Sequence, residues 1–402
     1  MTAFKEPRPN KIVIAFAKMI LPFWLKFKEH LTIDILCSQA NRKTFALSKR
    51  AVILLNHPDR QDPFVIVKLA SDMREEVYCI AARECFDWDN GWRGWLFQRL
   101  GCYSVARGKA DFHSIATTEK ILRDGRRKLV IFPEAEITAD ENTVHDLHKA
   151  IFHVLLNVQS ELPPADAASV EKSVQIFPAA IKLALVGDLT DAVAVPLHKI
   201  ESRLALNPPA STDVLQRIDQ VVDAYLSLVL RTYDCAKPDS KLEQLAEETS
   251  IFLLQKIELR LGASIDADLS PTDKLYALRN MAEQKIDAAS VAIVPDVFHC
   301  AGVPKSSLRS DFERVERLLI LQRMLQHQSS EIQRCRILDF IESELFGTIS
   351  AKGQQSCKVE LGQAIAVASF VDKYVQVKED GVAALSEDFR VKLQQMVAAG
   401  SP

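Results

Sequence analysis

The chain of 402 residues contains eight cysteines but no arrangement of them suited to metal chemistry. Cys37, Cys79, Cys85, Cys102, Cys235, Cys300, Cys335 and Cys357 include no C-x-x-C pair, and no histidine stands at a spacing that fits zinc. The expectation is reduced, mostly buried thiols in a cytoplasmic protein. Also missing is an unbroken apolar run of the ~20 residues that a membrane-spanning helix needs. The best candidate, KIVIAFAKMILPFWLKFKEHL (11–31), is interrupted by Lys18, Pro22 and Lys26. No small-residue cleavage site follows it, so no secretory signal is expected. There is no concentrated basic stripe either, which argues against a nucleic-acid partner.

What is present is an ordinary globular composition, 48% hydrophobic and 26% charged, in a chain long enough for about two domains. The net charge of −3 is unevenly placed, because the first 50 residues hold ten Lys or Arg against three Asp or Glu. Residues 11–28 interleave Ile12, Val13, Phe16, Ile20, Phe23, Trp24 and Phe27 with Lys11, Lys18, Lys26 and Lys28. Rings that settle at headgroup depth beside ammonium groups that meet lipid phosphates make an interfacial helix. Residues 1–44 are therefore expected to be an amphipathic helical segment in peripheral contact with the cytoplasmic face of a membrane. A first core helix with solvated lysines is the plainer alternative.

From about 45 to 208, β-branched and aromatic runs alternate with helical patterns. AVILL (51–55), VYCIAA (77–82), LVIFP (129–133) and VQIFPAAIKLAL (174–185) read as buried strands. Helices are expected at 62–73, 92–100, 111–126 and 143–159. This alternation predicts an α/β domain, a mixed or largely parallel sheet flanked by helices. LNPPASTD (206–213) reads as a linker. Beyond it, 213–233, 240–261, 271–289, 310–346 and 384–398 carry apolar residues at helical spacing, with Ser310 and Glu313 as a capping box and Gly262 and Gly347 as helix stops. Residues 209–402 are expected to form an all-helical domain, in which His299, Cys300 and His327 read as ordinary residues.

Four stretches carry candidate chemistry. In NHPDRQD (56–62), His57 and Asp62 emerge from the end of a strand, where open α/β sheets place their sites. A carboxylate that fixes the imidazole tautomer lets histidine remove a hydroxyl proton, although Asp62 also reads as an ordinary first-turn acid. GCYSVARGK (101–109) puts Arg107, with Lys109 nearby, at the end of a short strand, a fork of donors suited to phosphate or simply a surface arginine. VIFPEAEIT (130–138) sets Glu134 at a strand mouth, where it either holds substrate hydroxyls or begins a helix. IFPAAIKL (176–183) holds Pro178 inside an apolar strand, which suggests an edge, a bulge or a cleft-facing position.

In this order and spacing, the four stretches resemble the glycerolipid acyltransferase family, which includes the 1-acylglycerol-3-phosphate acyltransferases. N-H-P-D-R-Q-D matches its N-H-x4-D block, G-C-Y-S-V-A-R its second, F-P-E its third and the Pro178 strand its fourth. The resemblance covers roughly residues 45 to 185. It implies transfer of a fatty acyl group from a thioester, on coenzyme A or acyl carrier protein, to a hydroxyl of a glycerol phosphate or of a lysophospholipid such as lysophosphatidic acid, in phospholipid synthesis. His57 would be the general base and Asp62 its orienting partner. Arg107 and Lys109 would bind the acceptor phosphate, Glu134 would sit in the acceptor pocket, and Pro178 would shape the cleft wall. No cofactor or metal is implied.

One block departs from the family pattern. The third block usually continues F-P-E-G-T-R, whereas here Ala135, Glu136 and Ile137 follow Glu134. Alanine restricts φ where glycine would not, and a hydroxyl and a cation are lost. Either the acceptor differs from lysophosphatidic acid, or Arg107 and Lys109 carry its phosphate alone. The rival readings are a non-catalytic lipid-binding or scaffolding protein that retains the fold, and an acyl-thioester hydrolase that uses water as acceptor.

Overall fold

A computed structural model describes residues 4–209, 211–289, 308–326 and 330–399. His299, Cys300 and His327 lie outside them. The chain begins with helix α1 (Lys11–Trp24), strand β1 (Leu31–Cys37), α2 (Gln39–Leu47) and β2 (Arg50–Leu55). It continues through α3 (Asp62–Asp72), β3 (Val77–Ala82), a 3-10 segment (Arg83–Gly91), α4 (Trp92–Leu100) and β4 (Cys102–Val105). Then follow α5 (Phe112–Asp124), β5 (Lys128–Ile131), α6 (Lys149–Ser160), the short α7 (Pro164–Ala167) and β6 (Val174–Val186). Six helices come next: α8 (Leu189–Arg203), α9 (Val214–Thr232), α10 (Leu242–Leu261), α11 (Pro271–Ala289), α12 (Leu308–Gln326) and α13 (Glu331–Phe346). The chain ends with β7 (Gln354–Leu361), β8 (Ile365–Ala366), α14 (Val371–Gln376) and α15 (Lys378–Ala399).

One eight-stranded sheet runs in the order β1-β7-β6-β2-β5-β3-β4, with β8 pairing antiparallel to β6. The β2–β5, β2–β6, β3–β5 and β3–β4 pairs are parallel. β2 is buried on both faces, which explains its continuous apolar run. Val52 and Leu54 join a core with α5, α6 and α15, through Leu122, Phe152, Leu155, Leu385 and Phe389. On the other β6 face, Phe177 meets Phe45 of α2 edge to face at 5.1 Å. Gly101 ends α4 at φ 101°, and a Cβ there would lie 2.7 Å from the Val77 carbonyl oxygen, so the turn into β4 requires glycine.

The division of the chain differs from a boundary near 208. Residues 184–355 form one compact unit, and residues 3–183 with 356–402 form the other. The Pro-Pro stretch at 206–213 is a helix–helix connection inside the helical unit. α8 belongs there because its buried Val193, Leu197 and Ile200 pack toward α9 and α13. Nor is the end of the chain all helical: β7 alternates exposed and buried residues, with Cys357, Val359 and Leu361 inward, and adds a strand to the sheet. β1 does the same within the expected helical segment 1–44, burying Leu31 and Ile33 while Thr32 and Asp34 face out. The stretch 310–346 is two helices, and Ser310 lies inside α12 rather than at its start. Gly262 and Gly347 do cap α10 and α13 in left-handed conformation.

Within the helical unit, Lys352 is fully buried. Its ammonium donates to Asp339 at 2.6 Å and to Glu342 at 2.8 Å, and the Ser350 hydroxyl and N–H also donate to Glu342. A buried ion triplet of this kind holds its geometry because each charge would be costly alone.

Candidate active site

β2, β5, β3 and β4 all end at one edge of the sheet, and their register sets the exits level. Leu54 pairs with Ile131, Val130 with Cys79, and Cys79 with Cys102. Counting outward, His57, Glu134, Arg83 and Ala106 leave the sheet at one height. With strands ~4.8 Å apart, the outermost exits of this set are about 14 Å from each other.

Asn56 pins the first exit. It is fully buried, its amide donates to the Ile181 carbonyl at 3.0 Å, and its oxygen accepts the Ile181 N–H at 2.7 Å. β2 is thereby locked to β6 just before His57. The chain then turns through Pro58 and Asp59, whose carboxylate accepts the Gln61 N–H at 2.8 Å, into α3. Asp62 is the first residue of α3 and Pro63 follows in the first turn, where a missing N–H leaves no intrahelical bond unmade.

This turn sets His57 Nδ1 2.7 Å from Asp62 Oδ2, which also accepts the Asp59 N–H at 3.0 Å. Asp62 is buried, and its Oδ1 has no hydrogen-bond partner among the described residues. Burial pushes its pKa up, opposed by the hydrogen bond and charge of His57. An ionised Asp62 accepts from Nδ1–H, which leaves the lone pair on Nε2. The imidazole stacks on Phe132 with centroids 4.2 Å apart and planes 20° from parallel, so its orientation is fixed from a second side.

Glu134 does not stand apart as a substrate-facing acid. Its Oε2 accepts the His57 backbone N–H at 2.6 Å and its Oε1 accepts the His145 N–H at 2.8 Å. Burial raises its pKa while these two bonds, from His145 and His57, lower it. The His57 carbonyl in turn accepts the Thr138 N–H at 2.9 Å. The loop after β5 thus grips both sides of the His57 peptide. It also carries a second histidine–aspartate pair, with His145 Nε2 3.3 Å from Asp140 Oδ2. Ala135, in the position where the resemblance leads one to expect glycine, adopts φ 59°. The backbone keeps the left-handed turn although the residue disfavours it.

Of the other expected residues, Arg107 and Lys109 follow the end of a short strand as the sequence implies. Arg107 lies just beyond β4, mostly buried, in an ion pair with Glu84 of the 3-10 segment that follows β3. Lys109 is exposed two residues on. Pro178 is not on a cleft wall: it sits buried in the interior strand β6 opposite Leu54, three residues short of the Ile181 level that matches His57. A residue's N and O point to the same side of a strand, and the Pro178 carbonyl accepts from Gly362 N–H at 2.8 Å. The missing donor of Pro178 therefore faces the β7–β8 turn and costs the β2 pairing nothing. Asn56, Phe132, Thr138 and the Asp140–His145 pair escaped the sequence reading. Asn56 and Phe132 had a signal, as the first residues of the N-H-x4-D and F-P-E blocks.

A histidine and its orienting carboxylate at the carboxyl edge of a parallel sheet equip an α/β enzyme to withdraw a hydroxyl proton. Residues 37–182 match the model of the family described as Acyltransferase, in agreement with the resemblance that the four stretches carry. The match encloses His57, Asp62, Arg107, Glu134 and Pro178, and it excludes the helical unit. No curated protein matches the chain.

Proposed function

We propose that this chain transfers a fatty acyl group from a thioester donor, acyl-coenzyme A or acyl carrier protein, to the hydroxyl of a glycerol phosphate or lysophospholipid. The observation that carries the reading is the 2.7 Å contact of His57 Nδ1 with Asp62, which leaves Nε2 as the base. Nε2 takes the acceptor hydroxyl proton as the oxygen attacks the thioester carbonyl carbon. The C–S bond of the tetrahedral intermediate then breaks, and the departing thiolate takes the proton back from the imidazolium, giving an ester and a free thiol. Asp62 stabilises the imidazolium between these steps. The acceptor headgroup lies toward the ends of β3 and β4, where Arg107 and Lys109 stand.

The proposed membrane contact is α1 and the turn after it. Ile14, Leu21 and Leu25 are buried, whereas Ile12, Phe16, Met19, Phe23, Trp24 and Phe27 are exposed alongside Lys11, Lys26 and Lys28. An exposed apolar and basic face of this kind suits an anionic bilayer surface. Lys18 has a different role from the one expected of it: its ammonium donates to the Ala70 and Glu75 carbonyls, and burial lowers its pKa. α4, which packs beside α1, adds exposed Trp92 and Trp95. No helix among the described residues is long and apolar enough to cross a membrane.

The test is free-thiol release from both donors, with and without lysophospholipids, for wild type and a folded His57→Ala. Acceptor-dependent release that disappears in the variant supports transfer. Release without any acceptor would replace it with hydrolysis, and no release with any donor would replace it with a non-catalytic lipid-binding role.

A further inference from the structure

Resting on the transfer reading, we infer that the acceptor headgroup carries no phosphate monoester but is zwitterionic or neutral, and that Glu84 sets this by occupying Arg107. Two arginines stand where β3 and β4 leave the sheet, and each is held by a carboxylate of the segment Arg83–Gly91. Arg83 pairs with Asp87 at 3.0 Å and Arg107 with Glu84. A guanidinium in a close carboxylate pair offers an incoming anion a site whose positive charge is already compensated.

Residues 132–147, between β5 and α6, contain no Lys or Arg but include Glu134, Glu136, Asp140, Glu141 and Asp146. At the exits of β3 and β4, Arg83 is paired with Asp87 and Arg107 with Glu84, which leaves the exposed Lys109 as the cation outside these two pairs at that end. A phosphate monoester brings close to two negative charges at neutral pH. To take the charge of Arg107 it must compete with Glu84, a carboxylate that stays partly buried beside it. A phosphodiester headgroup with its own cation, or a headgroup with no charge, meets no such cost. The same Glu84 would then repel the wrong acceptor rather than attract the right one.

The experiment measures acceptor-dependent thiol release by the full chain, with acceptors presented in neutral-detergent micelles so that surface charge does not differ between arms. Lysophosphatidic acid, lysophosphatidylethanolamine, lysophosphatidylcholine and monoacylglycerol are compared for wild type and Glu84→Gln. The expected result is a higher kcat/KM for at least one zwitterionic or neutral acceptor than for lysophosphatidic acid in wild type. In Glu84→Gln, the ratio should move toward lysophosphatidic acid by about tenfold or more, chiefly through KM. Preference of wild type for lysophosphatidic acid overturns the inference without any variant and leaves transfer standing. So does a Glu84→Gln variant that uses lysophosphatidic acid less well, because Glu84 would then be presenting Arg107 to phosphate. Absence of acceptor-dependent release in every arm removes the transfer reading itself, and the inference with it.

Discussion

The Glu134 carboxylate accepts the backbone N–H of His57 at 2.6 Å with one oxygen and that of His145 at 2.8 Å with the other. A side chain that would otherwise be assigned to the acceptor pocket thereby ties the exit of β2 to the loop after β5. Glutamine keeps one acceptor oxygen but turns an amide toward the second N–H, which then lacks a partner. Glu134→Gln is expected to lower kcat by about 10- to 100-fold through displacement of the base, on the scale that small misplacements of catalytic groups produce, while the acceptor KM changes less than threefold. Steady-state kinetics at varied acceptor concentration separates this from loss of an acceptor contact, which would raise KM first.

Asp62→Asn keeps the size of the side chain and removes its charge. Asparagine can donate to Nδ1, which drives the proton to Nε2 and blocks the base. Turnover is expected to fall by roughly 10³- to 10⁴-fold, as in other histidines deprived of an orienting carboxylate. Single-turnover thiol release from the folded variant checks it; activity within tenfold of wild type would remove Asp62 from the mechanism.

Ala135 at φ 59° holds a left-handed turn that glycine adopts without a Cβ penalty. The residue is exposed, so no buried contact is lost on its replacement. Ala135→Gly is expected to stabilise the fold by about 1 kcal/mol, seen as a higher denaturant midpoint with an unchanged slope.

Asn56→Ala leaves the Ile181 N–H and carbonyl without the buried partners they now have. Two unsatisfied backbone groups are expected to cost about 2–4 kcal/mol. Denaturant unfolding followed in the α/β unit measures it, and an effect below 1 kcal/mol would mean that water replaces the amide.

In the helical unit, Glu342 is desolvated, yet the hydrogen bonds from Lys352 and Ser350 hold its pKa down to about 2, against an ordinary 4.5. A depressed carboxylate pKa contributes stability that is fully present above 4.5 and is lost as pH falls toward 2. Wild type is therefore expected to exceed Glu342→Gln by about 3 kcal/mol near neutrality, on the scale of ~1.4 kcal/mol per pKa unit. The gap should close between pH 4.5 and pH 2. Unfolding curves of both proteins across that window test the sign: a gap that widens with acid would contradict it.

The elements that the sequence declares by itself are those whose side-chain pattern has one period. Leu54 and its neighbours in β2, Phe152 in α6 and Val221 in α9 are buried where periodicity puts them, and His57 with Asp62 is legible because the two stand five positions apart across one turn. Arg107 was legible as a residue but not as a pair, because Glu84 is 23 positions away and only the adjacency of β3 and β4 brings it close. For the same reason, the roles of Phe132, Thr138 and His145 around His57 could not be read from the sequence: they depend on β5 lying beside β2. The return of residues 356–402 to the α/β unit was likewise decided in three dimensions, because the alternating pattern of β7 specifies a strand with one buried face and says nothing about which sheet will cover it. Local chemistry is written in short spacings; partners across strands exist only once the backbone hydrogen bonds of the sheet have fixed which exits stand side by side.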